Sequence, residues 1–406
     1  MSLYEGKYII GLTGNIAVGK SVVRQMLQHL GAYPIDADQL GHQAMSPGAP
    51  AYQPVIDMFG KFVVGPDGMI NRQTLGSIAF AIPEAMTKLE QITHPVISQA
   101  IHMLVTRSKQ RIIVVEAIKL LEGDLAKLCN TIWVVDATPE NQLKRLIEKR
   151  KMTEAEARKR IAAQQPQSSK VARANVVIHN NGNVEETWKQ VQNAWTVIRQ
   201  NVRETGPLTT RAQVVEKVQP LRPTGQLQAI RHTQSVVATP IETNDTHVRR
   251  GMPGNAEAIA HFITKISGKE IQRMDVMLAF GQKSYLLAEN KDNQITGLVG
   301  WQVENLITRI DEVYLEPNQN YENSVMSLMS AVEDASRELQ SEVSFIALPA
   351  NTAPEIIQAC LTQGYHFVKL EEIKFPAWRE VAQDILSRNG QTLIKQLRAD
   401  RVLKPI

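Results

Sequence analysis

Eight residues near the start of the chain, Gly14-Asn15-Ile16-Ala17-Val18-Gly19-Lys20-Ser21, have the spacing G-x-x-x-x-G-K-[ST]. A loop of this kind turns its backbone N–H groups around phosphate oxygens, at the positive end of the helix that follows. Lys20 is expected on the terminal phosphates and the Ser21 hydroxyl on Mg²⁺. The expected ligand is a nucleoside triphosphate, ATP foremost. Kinases, GTPases and motor-type ATPases share the motif, so it does not name the reaction. A glycine turn that only opens a helix is the plainer alternative.

The next chemistry-bearing residues are the acids of Tyr33-Pro34-Ile35-Asp36-Ala37-Asp38, which reads as a second strand ending in two carboxylates. A carboxylate there can accept the proton of an attacking hydroxyl. Taken singly, either acid also suits a helix N-cap. Further on, Gln142-Leu143-Lys144-Arg145 opens a basic helical stretch continuing through Lys149, Arg150, Lys151, Arg158, Lys159 and Arg160. Its guanidinium groups could offset charge in phosphoryl transfer, Arg145 first among them. The rest also fit a solvated face paired with Glu148, Glu154 and Glu156.

These residues depend on elements that hold them together. Tyr8-Ile9-Ile10-Gly11-Leu12, Ile112-Ile113-Val114-Val115, Ile132-Trp133-Val134-Val135 and Val176-Val177-Ile178 are short and apolar, as parallel strands covered on both faces are. Helical stretches such as 21–30 and 139–149 separate them, so an α/β fold with a parallel sheet is expected. Between the second strand and Ile112, the residues Met45, Val55, Ile56, Phe59, Leu75, Phe80, Leu89 and Ile92 mark a mostly helical insertion leaning over the sheet.

The 406 residues suggest two or three domains. A formal charge of +4 neither requires nor excludes a nucleic-acid partner, and none is expected. Cys129 and Cys360 are the chain's 2 cysteines, far apart and outside any CxxC pair, so neither a zinc site nor a disulfide framework is expected. No apolar run suits a membrane span and the N-terminus lacks a signal-peptide pattern, so the expected location is cytoplasmic. Near residue 200 the composition changes, and glycines and prolines punctuate a Gln/Thr/Val-rich stretch. The expected division is a nucleotide-binding domain over 1–202, a linker over 203–246 and a second α/β domain over 247–406.

Several stretches together resemble the dephospho-coenzyme A kinases. They are Ile10-Gly11-Leu12-Thr13-Gly14 with the loop, Asp36-Ala37-Asp38, Asp67-Gly68-Met69-Ile70-Asn71-Arg72, and His94-Pro95. Leu120-Leu121-Glu122, Gln142-Leu143-Lys144-Arg145, Arg160-Ile161-Ala162-Ala163-Gln164 and Val176-Val177-Ile178-His179-Asn180-Asn181-Gly182 continue the series. All stand in the family's order across residues 7–198. The resemblance implies a P-loop kinase core with a helical CoA-binding insertion and a lid. It implies transfer of the ATP γ-phosphoryl group to the ribose 3′-hydroxyl of dephospho-CoA, with Asp38 as base and Arg145 as the lid arginine on the phosphates. Arg72, His94 and Glu122 are implied around the acceptor. The chain departs from the family at Asn15 and Ala17, where glycines are usual, at Ile118-Lys119, at Lys149-Arg150 and at Ala174-Asn175. Another small-molecule kinase, or a nucleotide-binding regulator without transfer, are the competing readings.

Residues 247–406 resemble the GNAT-type acyl-CoA N-acyltransferase fold. Val248-Arg249-Arg250-Gly251 with Asn255–Ile259, Ile295–Trp301, Ile310–Pro317 and Gly364-Tyr365 carry the likeness. Those enzymes hold the CoA pyrophosphate on a glycine-rich turn, whereas 318–325 here has no glycine, and Glu316 and Glu322 add negative charge near the expected anion. A non-catalytic domain for binding a partner protein or for self-association is therefore expected, against the alternative of an active acyltransferase.

Overall fold

In this computed structural model the described residues are 4–204, 247–304, 306–316, 321–386 and 390–399. Most of the expected linker, 205–246, lies outside them, as do positions 318–320 of the expected degenerate turn and the Phe80 side chain.

The N-terminal domain runs β1 (Tyr8–Thr13), α1 (Lys20–His29), β2 (Tyr33–Asp36), α2 (Ala37–Ala44), α3 (Tyr52–Phe59), α4 (Arg72–Ala81) and α5 (Pro83–Arg107). It continues with β3 (Ile112–Glu116), β4 (Thr131–Asp136), α6 (Pro139–Arg150), α7 (Glu154–Ala162), α8 (Gln167–Val171), β5 (Val176–His179) and α9 (Val184–Glu204). Its strands pair in parallel in the order β2-β3-β1-β4-β5. All five residues of β3 are buried, as a strand covered on both faces must be. The chain leaves central β1 toward β2 on one side and later reaches β4 on the other. The crevice beyond the carboxyl ends of β1 and β3 is thus a switch point, where open α/β sheets hold ligands. Over one end, Val55, Phe59, Val63, Ile70 and Leu75 form a core of their own with Met45, Leu89 and Ile92, which makes the helical insertion a small subdomain.

One boundary moved. The second strand ends at Asp36, and Asp38 already stands in the first turn of α2. The reason is local: the Asp36 carboxylate accepts from the N–H of Gln39 at 3.0 Å, an N-cap that starts the helix.

The C-terminal domain runs β6 (His247–Arg250), α10 (Ala256–Ser267), α11 (Arg273–Ala279), β7 (Ser284–Glu289), β8 (Ile295–Glu304), β9 (Ile307–Leu315) and α12 (Tyr321–Glu338). It ends with β10 (Val343–Pro349), α13 (Pro354–Thr362), β11 (His366–Phe367), α14 (Pro376–Leu386) and β12 (Gly390–Gln396). Among the described residues the sheet order is β11-β12-β10-β9-β8-β7-β6, with β9 and β10 parallel and the other pairs antiparallel. This is the separate C-terminal α/β domain expected, and its sheet is mixed.

The two domains pack against each other. Val23, Met26 and Leu27 of α1 face the N-terminal core, while its Val22 and His29 meet Gly281 and Phe280. Gln25 Nε2 donates to Ser284 Oγ at 3.2 Å, and Gln340 Nε2 donates to the Leu104 carbonyl at 3.0 Å. Arg273 pairs with Glu185. The edge strand β2 is covered as well: Tyr33 is buried and its hydroxyl faces the Leu339 carbonyl. No helix among the described residues is long and apolar enough to cross a membrane.

Candidate active site

The loop after β1 is shaped by three left-handed residues, Gly14 (φ 150°), Ala17 (φ 60°) and Gly19 (φ 99°). A Cβ on Gly14 would stand 2.5 Å from the Val135 carbonyl oxygen, and one on Gly19 would collide with the Asn180 amide. Only glycine fits at either position. Ala17 takes its conformation with a side chain, at a cost on the order of 1 kcal/mol.

This winding turns loop carbonyls outward, where they are held. Arg145 Nη1 donates to the carbonyls of Ala17 (3.1 Å) and Val18 (3.0 Å), and Nη2 to that of Asn180 (2.6 Å). Asn180 Nδ2 donates to the Val18 carbonyl at 2.8 Å, and its Oδ1 accepts from Thr187 Oγ1. Toward the other end of the loop, the Asn15 N–H donates to Gln167 Oε1 (2.9 Å) and the Ile16 N–H to Gln164 Oε1 (2.7 Å). The segment joining α7 to α8 thus lies across the loop.

Lys20 is buried at the start of α1, with Nζ donating to the Asn15 carbonyl at 3.2 Å. Burial pulls its pKa down. Arg150 adds to that, while Glu116, Asp38 and Asp36 oppose it. Ser21 is exposed on the next position.

Asp38 is half-buried, and its Oδ2 accepts from the Ile118 N–H at 3.0 Å. Burial first, then the charges of Asp36 and Glu116, push its pKa up to about 6 against the Ile118 bond and Lys20. Glu116, at the end of β3, is buried and takes a 2.6 Å bond from Arg24 Nε, whose other end lies 3.8 Å from Asp36. Burial drives the Glu116 carboxyl upward, with Arg24 opposing. On the far side Lys170 is buried, donates to the Ile118 carbonyl at 2.7 Å, and has its pKa lowered by that burial. Its charge reaches Glu122, Lys20 and Asp38.

Lys20 and Asp38 are close enough for their charges to act on each other, and Ser21 stands exposed beside Lys20 at the head of α1. The structure sets Arg145 on the loop's carbonyls. Arg72 opens α4 beside His42, His94 lies on α5 near Asp124, and Glu122 follows β3 near Lys170. Lys144 pairs with Glu148 at 4.0 Å and Arg158 with Glu154 at 2.7 Å, both on exposed surface, as the solvated-face reading holds. Sequence reasoning missed Glu116, Arg24, Lys170, Gln164 and Gln167 as parts of the site. An acid closing the apolar run of β3 was a usable signal for Glu116. Nothing local marks Lys170, which reaches the site only because α8 packs there.

The model of the dephospho-CoA kinase family matches residues 8–186. The dephospho-CoA kinase of Geobacter sulfurreducens is 41% identical over 190 residues, which span 46% of this chain and 96% of that protein. A solved protein of Thermus thermophilus aligns at 27% identity with a TM-score of 0.44, over 47% of this chain and 97% of its own. A GNAT-family acetyltransferase of Staphylococcus aureus aligns at 16% identity with a TM-score of 0.27, over 38% of this chain and 99% of its own. An enzyme matched along nearly its whole length at the first of these identities decides the family, and by it this chain belongs to the dephospho-CoA kinases.

Proposed function

We propose that the chain transfers the ATP γ-phosphoryl group to the ribose 3′-hydroxyl of dephospho-CoA, with Asp38 as the base. The observation that carries this is the placement of Asp38 beside buried Lys20 at the switch-point crevice, with a carboxyl pKa near the operating pH. The acceptor hydroxyl gives its proton to Asp38 as its oxygen attacks the γ-phosphorus and the bond to the ADP oxygen breaks. Lys20 and the loop N–H groups hold the phosphates. Arg145 acts through the loop, fixing its carbonyls so that its amides stay turned inward. Arg150, whose charge is felt at Lys20, is the lid cation proposed to act on the phosphates held there.

The donor set suits Mg²⁺ bound mainly through the nucleotide. No cluster of three His, Cys, Asp or Glu able to hold a metal occurs among the described residues. The exposed Ser21 hydroxyl at the head of α1 is the protein ligand proposed for such a site. When bound, Mg²⁺ would neutralise charge on the phosphates. Arg72, His94 and Glu122 surround the acceptor in this reading. The C-terminal domain is a non-catalytic packing partner of the kinase. Both substrates are small molecules, and the reaction belongs in the cytoplasm, where ATP is available.

A coupled ADP-release assay tests the proposal. Dephospho-CoA should stimulate ATP turnover, with the product phosphorylated at the 3′ position. If another alcohol stimulates turnover and dephospho-CoA does not, the acceptor assignment fails.

A further inference from the structure

Between the helical insertion and the C-terminal domain lies a cleft of about 390 Å³. One wall carries His42 of α2 and Arg72 of α4, and the other carries Glu304 of β8, Arg309 of β9, and Glu380 and Asp384 of α14. Its volume lies within the range typical of small-molecule sites, roughly 300–1,000 Å³.

The cleft borders α2, the helix that also carries Asp38. Asp38 and His42 are four residues apart on α2, so they share a face one turn apart. An acceptor with its 3′-hydroxyl at Asp38 therefore runs along α2 into this space. Arg72 meets it there, close enough that its charge lowers the His42 pKa after burial has done so. From the second domain, the charge of Glu304 reaches Arg24, the residue that ties Glu116 to Asp36. Charge from both domains thus acts on residues of α1 and α2 around Asp38.

The far wall's charge says which part of the acceptor it suits. Arg309 is paired with Asp384, so among the described lining residues Glu304 and Glu380 leave that wall net negative. A diphosphate would be repelled there and drawn back toward Arg72. An uncharged chain bearing amide groups suits it, because carboxylates accept from amide N–H groups and Arg309 donates to amide carbonyls.

We propose that the C-terminal domain forms the second wall of the acceptor site, with Glu380 and the Arg309–Asp384 pair positioning the neutral, amide-bearing arm of the acceptor. This rests on the kinase reading above. Arg309 and Glu380 are positioning residues: they set affinity and selectivity for the acceptor and leave the chemical step to Asp38 and Lys20.

The test compares Glu380→Ala and Arg309→Met in the full chain with the wild type. Glu380 is exposed, so its replacement spares the fold, and Arg309→Lys serves as the conservative partner. Each truncation should raise the KM for dephospho-CoA about 5- to 20-fold, the effect of one charged hydrogen bond. The KM for ATP and the kcat at saturating acceptor should stay within twofold, and Arg309→Lys should recover part of the loss. Calorimetric titration with dephospho-CoA should show the same weakening without turnover. Unchanged acceptor KM in both truncations overturns the inference while leaving the kinase reading standing. An equal rise in both KM values, the mark of general loosening, also overturns it. A wild-type chain that neither binds nor phosphorylates dephospho-CoA defeats the kinase reading and the inference together.

Discussion

Asp38 Oδ2 accepts a 3.0 Å hydrogen bond from the N–H of Ile118, joining the first turn of α2 to the chain just past β3. The bond orients the carboxylate, while burial holds its pKa at about 6. A base works only when ionised, so kcat/KM for the acceptor should fall as pH drops below about 6 and reach its plateau near 7. Asp38→Asn should lower kcat by roughly 10²- to 10⁴-fold and leave ATP binding intact. Stopped-flow or coupled kinetics across pH 5–8 read both effects. A pH limb near an ordinary carboxylate value, or an Asn variant at wild-type speed, removes Asp38 as the base.

Arg145 bears on binding through the loop. Replacing it with Met leaves the carbonyls of Ala17, Val18 and Asn180 without their guanidinium donor. The expected loss is about 1–3 kcal/mol in loop order, seen as a KM for ATP raised about tenfold or more. Arg145→Lys should recover little, since an ammonium lacks the planar fork that spans three acceptors. Full recovery by Lys would point to charge alone.

Ala17 holds φ at 60°. Ala17→Gly removes the left-handed penalty of about 1 kcal/mol and adds unfolded-state entropy of about 0.4–1 kcal/mol, for a net change between about zero and a gain of about half a kcal/mol. Urea unfolding should therefore show equal or greater stability, and ATP affinity should not decrease. A clear loss of stability would mean that the Ala17 methyl makes a contact outweighing its strain.

His29 Nε2 lies 2.9 Å from the Phe280 carbonyl oxygen across the domain interface. Burial, with Arg250 nearby, lowers its pKa to about 4 against an unfolded value of 6.5. The unfolded chain then binds the proton more readily. The stability that depends on neutral His29 is complete above pH 6.5 and declines as pH falls toward 4, by at most about 1.4 kcal/mol per unit. His29→Gln keeps an N–H donor and cannot titrate, so thermal unfolding of that variant should lose less between pH 7.5 and 5.5 than the wild type. Parallel pH curves for the two would exclude His29 as the titrating group.

The sequence by itself determined the loop, the parallel strand set and the separateness of the second domain. These are local matters: glycine where φ must be positive, β-branched runs where both faces are covered, and a change of composition between folded regions. It also named Lys20, Ser21 and Asp38, since each stands within a residue or two of a strand-to-helix turn. Tertiary structure alone decided the surroundings that tune them. Glu116 and Lys170 reach Asp38 from β3 and α8, about 80 and 130 residues away along the chain. The contact between the domains was equally invisible, because Val22, Gln25 and His29 read as an ordinary exposed helix face until Phe280, Gly281 and Ser284 cover them. Burial and charge act through space, and spacing along a single chain records only what lies within a turn or a strand.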